Sequence, residues 1–314
     1  MVCALGMMTS CNSKSEKTSW EVDGIHGKVK TDKISIYEAI VKFGETQKGE
    51  LVNYVDHPLR FAQYSAISVT NYNEEGMRIS IDSYDDDMEL HSKSVYAFEG
   101  KKLSSIKAYD GDGELDYESN LTYDSKTGKL IEQVNQSYSK YGPYLFHYKY
   151  SYDKDGTLHG ETYREDGTAE KWSVQETMKK GKLQKRVQCN EQGEPTIITL
   201  FDDEERIISV MNKTTEDTIS YVYNENGDVV YMTVVTEEYR DVYYSTDYDT
   251  DYSIVNDSTP VLDTNSIVIP PSKLRKTTEY KFEYEYDKHN NWIKRITYKG
   301  IKPLYIEERE IEYY

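Results

Sequence analysis

Tyr109-Asp110-Gly111-Asp112-Gly113-Glu114-Leu115 is the stretch on which the fold reading turns. An aromatic residue is followed by Asp, two polar residues, Gly, one further residue and an aliphatic. Asp opens a turn by accepting bonds from its own backbone, and Gly takes the positive φ that closes it. The pattern returns at Tyr152-Asp153-Lys154-Asp155-Gly156-Thr157-Leu158 and at Tyr223-Asn224-Glu225-Asn226-Gly227-Asp228-Val229. Looser copies begin at Tyr72, Tyr163, Phe201 and Tyr286, and Tyr123-Asp124 opens a copy with one extra residue before Leu130. Each copy reads as a hairpin tip whose flanking aromatic and aliphatic residues meet across two strands.

Outward from this stretch the tips keep a beat. Gly100, Gly113, Gly128, Gly142, Gly156, Gly167, Gly181 and Gly193 mark successive turns, with Gly76 and Asp85-Asp86-Asp87 upstream and Glu204-Glu205 downstream. The spacing predicts an all-β chain: an elongated antiparallel meander, curled as a single-layer sheet. Between the turns residues alternate, and Tyr144, Phe146, Tyr148, Tyr150 and Tyr152 share one face of a strand. Gly24 to Glu50 reads as strand because of its β-branched residues. Tyr239 to Ser272, rich in Asp and Tyr and ending in Pro270-Pro271, has no hairpin signal and reads as a loop insertion before a last hairpin, Lys281 to Tyr298.

At Tyr109, Tyr152 and Tyr223 the pattern resembles the YD repeat of the RHS family. Tyr284 to Arg295 is similar to the YD-like hairpins of Bacteroidetes lipoproteins, with Asn291 in the glycine place, and Asp155 to Tyr163 resembles a MORN-type repeat. The resemblance covers roughly residues 72–314 and implies antiparallel β-sheet built from hairpins. It implies no toxin role, because neither the length of the RHS shells nor their terminal module is present.

Composition narrows the function. The 314 residues hold 56 Asp+Glu against 38 Lys+Arg, a formal net charge of -18, which repels a phosphate backbone and argues against nucleic acid as partner. With 31 Tyr but 6 Phe, the chain is too aromatic for a disordered acidic polymer and suits thin sheets where each ring has a dry and a wet end.

The start, Met1 to Cys11, is apolar and switches at once to the polar run Asn12 to Ser19. Met8-Thr9-Ser10-Cys11 resembles the box of a bacterial lipoprotein signal, which makes Cys11 the expected lipidation site and the membrane a partner through that anchor. The apolar stretch is short and no Lys or Arg precedes it, a departure from a full secretory signal. The organisation expected is residues 1–11 as truncated signal and acylated Cys, 12–24 as polar tether, and 25–314 as the hairpin-repeat domain with its insertion at 239–272. The address expected is the cell envelope at the outer membrane. With Cys3 and Cys11 accounted for, Cys189 is the one thiol left and reads as a small buried hydrophobe.

No catalytic constellation stands out. The six His are scattered, and there is no phosphate loop, nucleophile elbow or zinc cluster. No cofactor is called for, with Ca²⁺ the one candidate. Asp247, Asp249 and Asp251 alternate as calcium ligands do, as does the run from Asp110 to Asp116, though neither completes an EF-hand. Tyr144, Phe146, Tyr148 and Tyr150 form either a stacking surface for a sugar or a core-facing row. The function expected is a non-enzymatic envelope module that binds protein or glycan. The alternatives are an envelope enzyme acting on glycans and a cytoplasmic antitoxin or immunity partner of the MORN type.

Overall fold

The computed structural model describes residues 17–52, 65–138, 143–163, 166–239 and 273–314. After one short helix, α1 (Ser19–Val22), the chain is all strand: β1 (Val29–Lys42), β2 (Glu45–Leu51), β3 (Ile67–Tyr72), β4 (Arg78–Tyr84), β5 (Leu90–Glu99), β6 (Lys102–Asp110), β7 (Leu115–Tyr123), β8 (Leu130–Ser137), β9 (Tyr144–Tyr152), β10 (Leu158–Tyr163), β11 (Ala169–Lys179), β12 (Lys182–Cys189), β13 (Pro195–Phe201), β14 (Ile207–Asn212), β15 (Thr218–Tyr223), β16 (Val229–Tyr239), β17 (Lys273–Tyr286), β18 (Trp292–Lys299) and β19 (Lys302–Tyr313). No helix among the described residues is long and apolar enough to cross a membrane.

The expected open meander is corrected at its two ends. Each strand from β3 to β19 pairs antiparallel with the next, β3 pairs with β1 through Thr31–Ser35, and β19 pairs with β1 from Val29 to Glu38. Of the nineteen strands among the described residues, eighteen therefore close a ring, and β2 stands outside it, paired to the end of β1 from Tyr37 to Lys42. The molecule is a closed barrel, and the open YD or MORN repeat architecture does not hold. Eighteen strands about 4.8 Å apart, tilted by about 40°, give a ring roughly 35 Å across at the backbone. The last hairpin is also corrected: β17 and β18 match the expected pair, and β19 follows to reach β1.

The hairpin tips close as their residues specify. In the turn after β6, Asp110 Oδ1 accepts from the amides of Asp112 and Glu114, and Gly113 has φ +85°. Asn73, Asn190, Asp202 and Asp287 each accept in the same way from the amides two and four residues on. One assignment shifts by a residue: Asn290, at φ +65°, occupies the glycine place, and Asn291 lies after it, buried. Gly142 and the 240–272 segment lie outside the described residues.

Directly paired residues share a face, and the faces return to themselves around the ring. One face is crowded. It carries Asp32, Tyr150, Leu158, Val174, Phe201, Met232, Phe282, Thr297 and Glu307, all buried. The other is open and laced with exposed pairs such as Lys33–Glu310, Lys107–Glu118, Lys281–Glu283 and Lys294–Glu285. Side chains converge on the concave wall of a closed cylinder and diverge on the convex one, so the crowded face is the inner wall.

One rim of the barrel, the terminal rim, carries Val29, Tyr313 and the turns after β3, β5, β7, β9, β11, β13, β15 and β17. The far rim carries the β1–β2 turn, the turn after β18 and the remaining connections. Residues 19–24, read from the sequence as the end of a tether, dock at the terminal rim together with Ile25. Trp20 stacks over Gly76 and donates to the Val29 carbonyl at 2.9 Å, and Ile25, Val29 and Tyr72 form a small core with Trp20, Ile311 and Tyr313 around it.

Candidate functional site

Strand β9 brings the sequence-predicted aromatic row together on the inner wall. Tyr144, Phe146, Tyr148 and Tyr150 follow one another with ring centroids 5.3, 6.4 and 6.5 Å apart. The first pair meets edge to face and the other two are stacked, the last nearly parallel at 5°. Exposure falls along the row: Tyr144 is 45% exposed at the far rim, and Tyr150 is 6% exposed deeper in the barrel. Gly160 of β10 sits between Tyr150 and Trp172 in the pairing register. Its missing side chain lets the Trp172 indole lie flat on the backbone, 6.0 Å from the Tyr150 ring.

Polar groups run beside the rings on β7 and β8. Gln133 donates to Ser119 and Asn135, the Ser119 hydroxyl donates to Asn135 at 2.7 Å, and the Tyr150 hydroxyl donates to Gln133. Burial pushes the Tyr148 and Tyr150 phenols up, so both are neutral donors at physiological pH. The wall thus carries a row of aromatic rings flanked by an interlinked strip of amides and hydroxyls.

The wall is held by a device that sequence reading missed. The repeat tyrosines donate across to the preceding hairpin of the terminal rim: Tyr123 to the Leu103 carbonyl, Tyr152 to Leu130 and Tyr223 to Ile207, at 2.9, 3.1 and 2.6 Å. The cation just before each of those aliphatics lies over the same ring, with Lys102, Lys129 and Arg206 at 5.3, 4.3 and 4.7 Å from the centroid. The signal was present, since Lys-Leu, Lys-Leu and Arg-Ile recur where β6, β8 and β14 begin, at Lys102-Leu103, Lys129-Leu130 and Arg206-Ile207.

Other titratable groups are paired structurally. At the seam, Arg295 makes a two-pronged pair with Glu307, and Arg309 bonds Asp32 at 2.7 and 2.8 Å, all four buried. Trp292 lies against both guanidinium groups, at 4.9 and 4.8 Å. On the open face, His147 meets Glu132 at 2.6 Å, and a shallow cleft of about 340 Å³ holds His159, Glu161 and Lys171. Glu161 bonds the Tyr163 hydroxyl, which holds its carboxyl below the usual range.

Among the described residues no group of three His, Cys, Asp or Glu is arranged to hold a metal ion. Asp110 Oδ1 is taken up by the amides of its own turn. Asp247, Asp249, Asp251 and Cys11 lie outside the described residues. Cys189 is buried at the end of β12.

No family model matches the chain, and no curated protein matches it. Among solved structures it is similar to a porin-like protein from Bacteroides uniformis at TM-score 0.37 and 8% identity, over 90% of this chain and 96% of the other. A porin-like protein from Bacteroides vulgatus gives TM-score 0.31 and 14% identity, over 92% and 99%. The closed ring rests on this chain's own pairing of β1 with β19 and owes nothing to those two likenesses.

Proposed function

We propose that the protein is a non-enzymatic barrel of the bacterial cell envelope that stands in water and takes a glycan chain against its inner aromatic wall. The observation that carries the reading is the graded row from Tyr144 to Tyr150 with the amide strip beside it. A purely packing row would be dry along its length; this one opens to solvent at the far rim.

Two features support a barrel in water rather than one through lipid. A spanning strand needs about 9–11 residues, and β3, β10, β14 and β15 have 6 each. A spanning barrel also turns an apolar band toward lipid, where a Lys or Arg at mid-depth costs about 2–4 kcal/mol. Here neither face is an unbroken apolar band: the open face carries Lys281–Glu283 and Lys294–Glu285 beside exposed Leu200, Val222 and Tyr231, and the inner wall carries Arg295, Glu307, Arg309 and Asp32. The apolar start and its abrupt polar switch support export to the envelope.

Calorimetric titration with soluble envelope oligosaccharides tests the reading. Binding is expected, with Tyr144→Ala plus Phe146→Ala weakening it about tenfold or more, as loss of two stacked rings implies. Tyr231→Ala, on the open face, leaves it unchanged. Absence of binding to any envelope glycan, or binding indifferent to the Tyr144 and Phe146 changes, overturns the proposal.

A further inference from the structure

Among the arginines that the described strands turn to the inner wall, one is paired unlike the rest. Arg295 reaches Glu307, Arg309 reaches Asp32 and Arg186 reaches Glu176, each through both Nε and Nη2 and each to a carboxylate on a neighbouring strand. Arg78, opposite Tyr72 on the same wall at the terminal rim, has no carboxylate on any described strand. Its partner comes from the residues ahead of the barrel: Asp23 Oδ1 accepts from Arg78 Nη2, and Asp23 Oδ2 accepts from the Tyr72 hydroxyl at 2.8 Å. Arg78 Nε is buried and finds no acceptor among the described residues. The guanidinium lies over the Tyr96 ring, 5.4 Å from its centroid. Half of a fork that takes both oxygens of a carboxylate is therefore unused.

The segment that supplies Asp23 is lightly held. Helix α1 has no buried residue and is capped from within by Thr18 and Glu21. It meets the barrel where the Trp20 amide donates to the Gly76 carbonyl at 3.2 Å, where the Arg78 amide donates to the Ser19 hydroxyl at 2.9 Å, and through the Trp20 indole. Gly24, at φ +66° with open space around it, directly follows Asp23. A glycine there is a hinge about which residues 18–23 lift while Ile25 stays in its small core. A short segment with few buried contacts opens at low cost.

We propose that residues 18–23 are a displaceable strap, and that Arg78 with Tyr72 is the seat of an external carboxylate for which Asp23 substitutes. A uronic sugar and the carboxyl end of a peptide share this chemistry. The ligand's two oxygens take Nε and Nη2 of Arg78, as the fork is filled at Arg295 and Arg309, and the strap leaves with Asp23. Strap and ligand exclude each other, so the closed strap lowers the apparent affinity by the fraction of molecules in which it is shut. This inference stands apart from the glycan reading, since it lies at the opposite rim and uses no residue of β9.

Hydrogen exchange of the full chain, followed over residues 18–25 by mass spectrometry, tests it. Glucuronate and N-acetylglycine are the probes, with glucose and N-acetylglycinamide as their uncharged controls. Exchange at residues 19–23 is expected to speed up in at least one acid, which names the source of the carboxylate, and in neither control, while the β1–β19 amides stay protected. Asp23→Asn, which removes the competing charge, is expected to bind that acid about tenfold tighter, the scale of one charge-assisted hydrogen bond. Arg78→Lys keeps the charge but loses the fork, and is expected to abolish the response. The proposal is overturned if neither acid alters the strap, if the controls act as the acids do, or if Asp23→Asn binds no tighter. Release that also frees the β1–β19 amides overturns it too, because the strap is then part of ring closure.

Discussion

At the residue scale, single atoms decide whether the inner wall can form. A Cβ on Gly160 would collide with the Trp172 indole, whose Nε1 is held to the Thr162 hydroxyl at 3.2 Å. Gly160→Ala should therefore cost about 1–3 kcal/mol, the usual penalty of overpacking, and urea unfolding measures it. Asn291 works through its side chain. It accepts from the His26 amide at 2.8 Å and donates to the His26 carbonyl at 2.7 Å and to the Tyr313 hydroxyl. Asn291→Ala strands these buried groups and should cost about 2–4 kcal/mol in the same measurement. Asp228 supplies a pH dependence. Burial pushes its carboxyl up, against the hydrogen bond from the Tyr286 hydroxyl and the pull of Arg295 and Arg309. A carboxyl raised by folding contributes stability that is present at acid pH and lost as pH rises through its folded value. Asp228→Asn keeps the acceptor for Tyr286, so it should flatten that part of the stability-versus-pH curve and leave the protein at least as stable at neutral pH.

At the element scale, the unit is the hairpin tip, and here the sequence was legible. Asp or Asn followed by Gly states its own turn, because the carboxylate or amide oxygen and the positive φ act within five residues. The turn oxygen is all that matters, since Asn73, Asn190 and Asn224 do the same work as Asp110 and Asp202. Asp110→Asn should therefore be nearly silent in thermal unfolding, whereas Asp110→Ala frees two amides and should cost about 1–2 kcal/mol. Acid should loosen two of these tips. The Thr127 hydroxyl and amide hold the Asp124 carboxyl below the usual range, and the Thr157 amide and hydroxyl do so for Asp155. Groups lowered in this way contribute stability above the ordinary carboxylate value and lose it as pH falls through the lowered one. Amide exchange should accordingly show these two turns protected at pH 5, with the protection relative to free amides lost below the carboxylate range. What stayed illegible at this scale was the partnership between hairpins. That Lys129 lies over Tyr152 while Leu130 accepts its hydroxyl depends on strand order and register, which no tip specifies.

At the scale of the whole molecule, closure was illegible because it is not local: a meander whose last strand meets its first has the same turns and the same alternation as one that stays open. The residues that seal the ring, Asp32 with Arg309 and Arg295 with Glu307, are scattered charges in the sequence and become a buried set when β19 lies between β18 and β1. Closure can be tested by covalent chemistry at the open face of the seam. Lys33 and Glu310 are directly opposite in the register, with Nζ and Oε1 2.9 Å apart. Opposed antiparallel residues have Cα atoms about 4.5–5.5 Å apart, inside the range a disulfide spans. In an open sheet the same two positions would lie at opposite edges, roughly 80 Å apart at about 4.8 Å per strand. With Cys3 and Cys11 changed to Ser and Cys189 left buried, Lys33→Cys with Glu310→Cys should oxidise to an intramolecular bridge. The product should run faster on a non-reducing gel as a monomer and melt at a higher temperature. Lys33→Cys with Glu118→Cys, positioned on a distant strand, should not. If the seam pair gives only intermolecular dimers, the ring is open, and the assignment of an inner wall to Tyr144, Phe146, Tyr148 and Tyr150 goes with it.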